Sequence, residues 1–111
     1  MEDLKRLLER KVVSINQDPE KREKIRRWVD GYRGKVISFK TKDESFHLIF
    51  EKDKVTLNEG NYSSCEFSYI GSKEVLCAIL RKEESAMRAG MSGIIKGWGS
   101  VNEALKFEKI I

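Results

Sequence analysis

One histidine, one proline and two cysteines are all that 111 residues contain of those three types. Each scarcity removes a class of function. A zinc site takes four protein ligands, or three with an open position, and His47 with Cys65 and Cys77 supplies no familiar set. The cysteines lack Cys-x-x-Cys spacing and sit in apolar-patterned segments, so they read as reduced packing residues. A thiol nucleophile needs a basic partner, and nothing in the sequence sets His47 beside either cysteine. His47 falls mid-strand, opposite the apolar face, and reads as a surface or edge residue. A single proline speaks against long flexible segments, and no apolar run approaches the roughly 18 residues of a membrane span. The first residues, Met-Glu-Asp-Leu-Lys-Arg, lack the apolar core of a signal peptide, so the expected location is cytoplasmic.

Glycine is clustered where a nucleotide loop would use it, at Gly90, Gly93, Gly97 and Gly99. The spacing fits neither G-x-x-x-x-G-K-[ST] nor G-x-G-x-x-G, and the run follows a helix pattern where those loops follow a strand. These glycines read as backbone requirements: a helix end, a strand start, a close contact and a turn. The carboxylates lie in charge-interleaved helices and turns, where ion pairing accounts for them. The expectation is a protein without catalytic residues, metal or cofactor.

What is abundant is charge. The net charge is +4, and its excess is concentrated. Lys21, Arg22, Lys24, Arg26, Arg27, Arg33 and Lys35 face only Glu23 and Asp30 in the same stretch. One reading is an anionic membrane surface met by Lys21, Arg22, Lys24, Arg26 and Arg27. The other is a solvated helix face, since Glu20 precedes Lys24, and Glu23 precedes Arg27, by one helical turn. Nucleic acid ranks below both, because the only aromatics along the stretch are Trp28 and Tyr32. Trp28 suits either packing or a lipid interface.

Hydrophobic periodicity divides the chain. Leu4, Leu7, Leu8, Val12 and Ile15 repeat at helical spacing up to about Asn16. Asp18-Pro19 then gives an N-cap and a proline at the first helical position. Ile25, Trp28, Val29 and Tyr32 continue this second helix, which Gly31 and Gly34 end. From Lys35 the period becomes two. Ile37 and Phe39, then Phe46, Leu48 and Phe50, then Val55 and Leu57, then Cys65, Phe67 and Tyr69 mark antiparallel strands with one apolar and one wetter face. Ser72 caps a third helix with Val75, Leu76, Ile79 and Leu80 inward. A short helix spans Ser85 to Ala89, a last strand Met91 to Trp98, and a final helix Val101 to Phe107. Ser100 and Glu103 have the spacing of a reciprocal capping box. The expected fold is α+β: a largely antiparallel five-stranded sheet with helices on one face, in a single domain 1–111, with N-terminal helices over 1–34 and the sheet and its covering helices over 35–111.

The segment from Gly93 to Phe107 carries a resemblance. Gly93, Ile95, Gly99, Ala104 and Phe107 fall without gaps on G-x-L-x-I-x-G-x-x-x-x-A-x-x-L, the C-terminal pattern of the sterol carrier protein 2 family. The order of strands and the Ser72 helix extend the similarity over roughly 37–111. One departure is the turn Asp53-Lys54, where the family often has Asp-Gly. The resemblance implies a non-enzymatic lipid-binding or transfer protein, holding a fatty acyl or sterol-like ligand in an apolar tunnel between sheet and helices. Fatty acid, fatty acyl-CoA or another apolar small molecule would be the partner. The alternative is a protein-interaction or homodimerisation module with the same fold and a closed core. Pattern alone offers Ile37, Phe39, Phe50, Phe67, Ile79, Leu80, Met87, Met91, Trp98, Leu105 and Ile110 as lining residues. An empty lipid-sized void of ~400 Å³ would cost on the order of 10 kcal/mol at about 24 cal/mol per Å³. Such a space must therefore be occupied, hydrated or collapsed.

Overall fold

A computed structural model describes residues 3–29 and 34–111. Helices α1 (Leu4–Gln17) and α2 (Pro19–Trp28) precede strands β1 (Lys35–Lys40), β2 (Ser45–Glu51), β3 (Lys54–Glu59) and β4 (Phe67–Ile70). Helices α3 (Lys73–Leu80) and α4 (Ala86–Met91), strand β5 (Lys96–Gly99) and helix α5 (Val101–Glu108) complete the chain. The expected contributions of Asp30, Gly31, Tyr32 and Arg33 lie outside the described residues.

Capping chemistry sets the helix starts. Asp18 accepts from the amides of Glu20 at 2.9 Å and Lys21 at 3.4 Å, with Pro19 entering the first turn. Ser72, Ser85 and Ser100 do the same for Val75, Arg88 and Glu103. Ser100 makes only half of the anticipated box. The Glu103 carboxylate turns away from the helix end and takes Trp28 and Lys35 instead. Met91, expected to begin the last strand, closes α4, and the strand starts five residues later at Lys96.

The sheet order is β3-β2-β1-β4-β5. Every neighbouring pair is antiparallel except β1 and β4, which run parallel, with Ile37 beside Phe67 and Phe39 beside Tyr69. Tight alternation puts Ile37, Phe39, Phe46, Leu48, Phe50, Val55, Phe67 and Tyr69 on one face, and these are buried. Leu4, Leu7, Leu8, Ile15 and Ile25 join them in one hydrophobic core, with Leu76, Leu80, Phe107 and Ile110. An aromatic chain crosses that core. Trp28 meets Phe50 at 4.9 Å between ring centres, Phe50 and Phe39 both meet Phe107 at 5.8 Å, and Tyr69 links Phe39 (5.3 Å) to Phe67 (4.9 Å).

The opposite face is drier than expected. Val36, Ser38, His47 and Ser68 are buried there. His47 is thus not a surface residue: its Nδ1 lies 2.9 Å from the Gly60 carbonyl oxygen, and its ring packs beside Tyr62. The β2–β3 hairpin closes through Lys52-Asp53, with Lys52 at φ 55, which provides without glycine the left-handed backbone a tight turn needs. Asp53 is then held by Arg22 at 2.6 Å. On the outer edge of the sheet, the Asn16 side chain pairs with both the amide and the carbonyl of Val55, at 2.9 and 2.8 Å. A helix side chain so completes the backbone bonding of edge strand β3 at that residue.

Candidate functional site

Where β4 and β5 pair, the helix-covered face carries almost no side chain on the outer strand. Gly97 and Gly99 are in register with Tyr69 and Phe67 and share their face, while Trp98 alternates to the other side of the sheet and stands 75% exposed. Both glycines are required by contact. A Cβ on Gly97 would come within 2.6 Å of Phe67 Cζ, and one on Gly99, at φ +117, within 2.3 Å of the Glu66 carbonyl oxygen. Bare backbone on β5 lets the Phe67 ring and the Glu66 carbonyl lie close against it, beside an open space.

That space is a groove of about 350 Å³ between α4 and α5, open to solvent. Phe67 and Tyr69 of β4 and the two glycines of β5 line it from the sheet. Ala86, Met87, Gly90 and Met91 of α4, Ile95 of the connection, and Val101, Ala104, Leu105 and Glu108 of α5 complete the wall. Met87, Met91, Val101 and Leu105 are exposed apolar side chains along it, Met91 at 84%. Glu108 is the one charged residue among those lining the groove. Tyr69 Oη donates to Glu108 Oε2 at 2.9 Å, and burial, reinforced by the Glu108 charge, pushes the phenol far above its ordinary range. The phenol therefore stays protonated.

Two other hollows have different walls. One of about 680 Å³ runs along the outer face of α1 to the α1–α2 junction, shallow and bordered by Arg6, Glu9, Arg10, Ser14, Gln17 and Asp18 with Val13 and Pro19. The other, about 480 Å³, lies between α2 and α5, with Lys24, Arg27, Lys106 and Lys109 around Trp28 and Ile110. Above this cleft Glu103 joins three elements. It accepts from Trp28 Nε1 at 3.2 Å and pairs with Lys35 Nζ at 2.7 Å, with Lys106 at 3.8 Å. Burial alone would push the Glu103 carboxyl up; the bonds from Lys35 and Trp28 and the Lys106 charge outweigh it and hold it below the usual carboxylate range.

Of the residues expected to line a ligand site, Phe67, Met87, Met91 and Leu105 come together on the groove. Ile37, Phe39, Phe50, Ile79 and Leu80 belong to the hydrophobic core beside it. Ile110 lies at the basic cleft, and Trp98 points off the sheet's other face. Tyr69, Glu108, Gly97 and Gly99 were not expected there. For the glycines a signal existed: Gly-Trp-Gly at period two strips one face of a strand. For Tyr69 and Glu108 none existed, because the two sit 39 residues apart in the chain. The basic run is divided among partners as well. Arg22 serves Asp53, Arg26 and Arg27 pair with Glu23 at 3.0 and 3.5 Å, Lys35 serves Glu103, and Lys24 donates to the Lys109 carbonyl.

A profile of the SCP-2 sterol transfer family matches residues 3–111, which takes in the N-terminal helices as well as the C-terminal pattern. No curated protein sequence matches the chain. Among solved structures, sterol carrier protein 2 from Yarrowia lipolytica in its apo form is 21% identical, with a TM-score of 0.66 over 90% of this chain and 83% of that one. Palmitated SCP2L2 from Aedes aegypti is 18% identical, with a TM-score of 0.65 over 98% and 94%. The inverting sec-alkylsulfatase Pisa1 from Pseudomonas sp., 14% identical, has a TM-score of 0.69 over 81% of this chain; the chain spans only 14% of its length. At these identities the likeness is one of fold.

Proposed function

Because the chain belongs to the SCP-2 sterol transfer family, we propose that the groove between α4 and α5 is a lipid site and that the protein is a carrier. It binds an apolar ligand and releases it unchanged. The observation that supports this most directly is the groove's composition. Two glycines form part of its floor, methionines and other apolar side chains stand exposed on its walls, and no lysine or arginine among the described residues lines it. Isolated exposed apolar residues need no explanation, but a concave row of them suits a ligand. Methionine thioethers adapt to apolar partners of varied shape.

Burying about ten methylenes at about 0.8 kcal/mol each gives ~8 kcal/mol before the costs of association. Binding no tighter than about micromolar follows, as suits a carrier that must let go. Native mass spectrometry of gently purified protein, with titration of a fluorescent acyl probe, tests the reading. A co-purified lipid and saturable binding are expected. No bound lipid and no saturation below about 100 μM defeat it.

The basic cleft has a place in the same reading. Lys24, Arg27, Lys106 and Lys109 gather on the α2–α5 side of the molecule without an acidic residue among the cleft's lining. We read this side as the one that meets an anionic membrane when ligand is exchanged. Co-sedimentation with vesicles containing phosphatidylserine should fall sharply between low salt and 0.5 M salt, while binding that ignores salt rejects this part.

A further inference from the structure

We propose that the groove selects apolar ligands whose polar end is an uncharged hydroxyl over those that end in a carboxylate or phosphate. The inference rests on the groove being the lipid site and adds the chemistry of the ligand's head.

Among the described residues, the only ionisable side chains lining the groove are Tyr69 and Glu108. Tyr69 is almost fully buried and donates its single O–H to Glu108 Oε2. Glu108 Oε1 has no hydrogen-bond donor among the described residues. What the polar end of the groove presents is thus a set of acceptors: the free carboxylate oxygen and the lone pairs of the phenol. Acceptors recognise a donor. A hydroxyl can donate to Glu108 and lie beside Tyr69 without bringing charge into an apolar space. A carboxylate or phosphate would bring a second negative charge next to the first, with no cation on the groove wall to offset it.

Among the described residues no lysine or arginine lines the groove. Lys82 bonds the main-chain carbonyl of Glu108 from the neighbouring hollow, which Glu108 itself lines together with Glu83 and Glu84, and it is not among the residues lining the groove. The nearest surroundings of the Glu108 end are therefore acidic on balance. Lys24, Arg27, Lys106 and Lys109 belong to the α2–α5 cleft. An ammonium head would satisfy Glu108 as well, but it would have to leave its own hydration to enter the groove.

The test compares dodecan-1-ol with dodecanoate as displacers of a neutral pyrene-labelled alkane, at pH 7.5. The wild type should release the probe to the alcohol at a concentration at least tenfold lower than to the carboxylate, the scale of one hydrogen bond to a charged group. In Glu108→Gln the amide keeps an acceptor for Tyr69 and removes the charge, so the ratio should shrink to about two- or threefold. Glu108→Ala should level it likewise and serves if the glutamine variant folds poorly. Equal displacement in the wild type, or a tenfold ratio that survives in both variants, overturns the hydroxyl preference and leaves the lipid site standing. A probe that neither binds nor is displaced overturns both.

Discussion

Glu103→Gln is the perturbation whose size the structure constrains most closely. The carboxylate is 15% exposed, lies 2.7 Å from Lys35 Nζ, itself 28% exposed, and accepts from the buried Trp28 indole at 3.2 Å. At an effective dielectric of about 20, two unit charges at that separation attract by about 6 kcal/mol. Desolvation of both groups offsets most of this, and glutamine keeps an acceptor for Trp28. Lys35 can also swing toward water. A net loss of about 2 kcal/mol is expected at pH 7. With an unfolding entropy of about 2.1 cal/mol/K per residue, a chain of this length should lose about 8–9 °C in Tm. The pH dependence has a fixed sign. A carboxyl held low in the folded state stabilises fully above its unfolded value and ceases to do so as pH falls through its folded value. The gap between wild type and Glu103→Gln should therefore be widest near neutrality and narrow as pH falls below the ordinary glutamate range. Thermal melts followed by circular dichroism at pH 7, 5, 4 and 3 read this directly. Equal Tm values at pH 7, or a gap that stays constant into acid, would refute the reasoning.

Three further outcomes follow from local geometry. Gly99→Ala meets both an unfavourable φ and the Glu66 carbonyl, and should cost about 3 kcal/mol or more in urea unfolding; a loss under about 1 kcal/mol would mean β5 shifts freely. Gly90→Leu adds a side chain where a Cβ touches nothing within 4 Å, and replaces a helical glycine. It should raise stability by several tenths of a kcal/mol and weaken lipid binding at least tenfold, whereas unchanged affinity would place the ligand elsewhere. Asn16→Ala frees the backbone of Val55 at the sheet edge; about 1–2 kcal/mol of stability should go, with faster aggregation on heating, and a melt identical to wild type would show that water replaces the amide at no cost.

Much of the architecture was legible because local chemistry specifies it. Asp18-Pro19, Ser72, Ser85 and Ser100 announce helix starts by themselves, and the alternation from Ile37 through Phe50 announces strands. The parallel pairing of β1 with β4 was not legible, since no residue of either strand says which neighbour it takes. Met91 was expected on the last strand, yet the helix that Ser85 caps runs through it. Glu103 illustrates the limit of motif reading: its spacing from Ser100 suits a box, but a lysine and an indole from distant segments offer its carboxylate a better set of partners. The same holds for the groove. Its methionines, Phe67 and Leu105 show in apolar patterns, whereas Glu108 has the look of any surface acid until Tyr69 is brought to it.

The single parallel pair has a consequence for how the molecule assembles. Strands β1, β2 and β3 are successive hairpins and can pair within microseconds. Strand β4 must instead travel back past both to lie along β1, closing a loop of about 30 residues between Ile37 and Phe67. Only then do β5, α5 and the Glu103 bond to Trp28, 75 residues earlier, have a surface to join. The β4–β5 end that carries the groove is therefore expected to form late. Changes in the Lys52-Asp53 turn should alter the folding rate, and changes at Gly99 or Glu103 chiefly the unfolding rate.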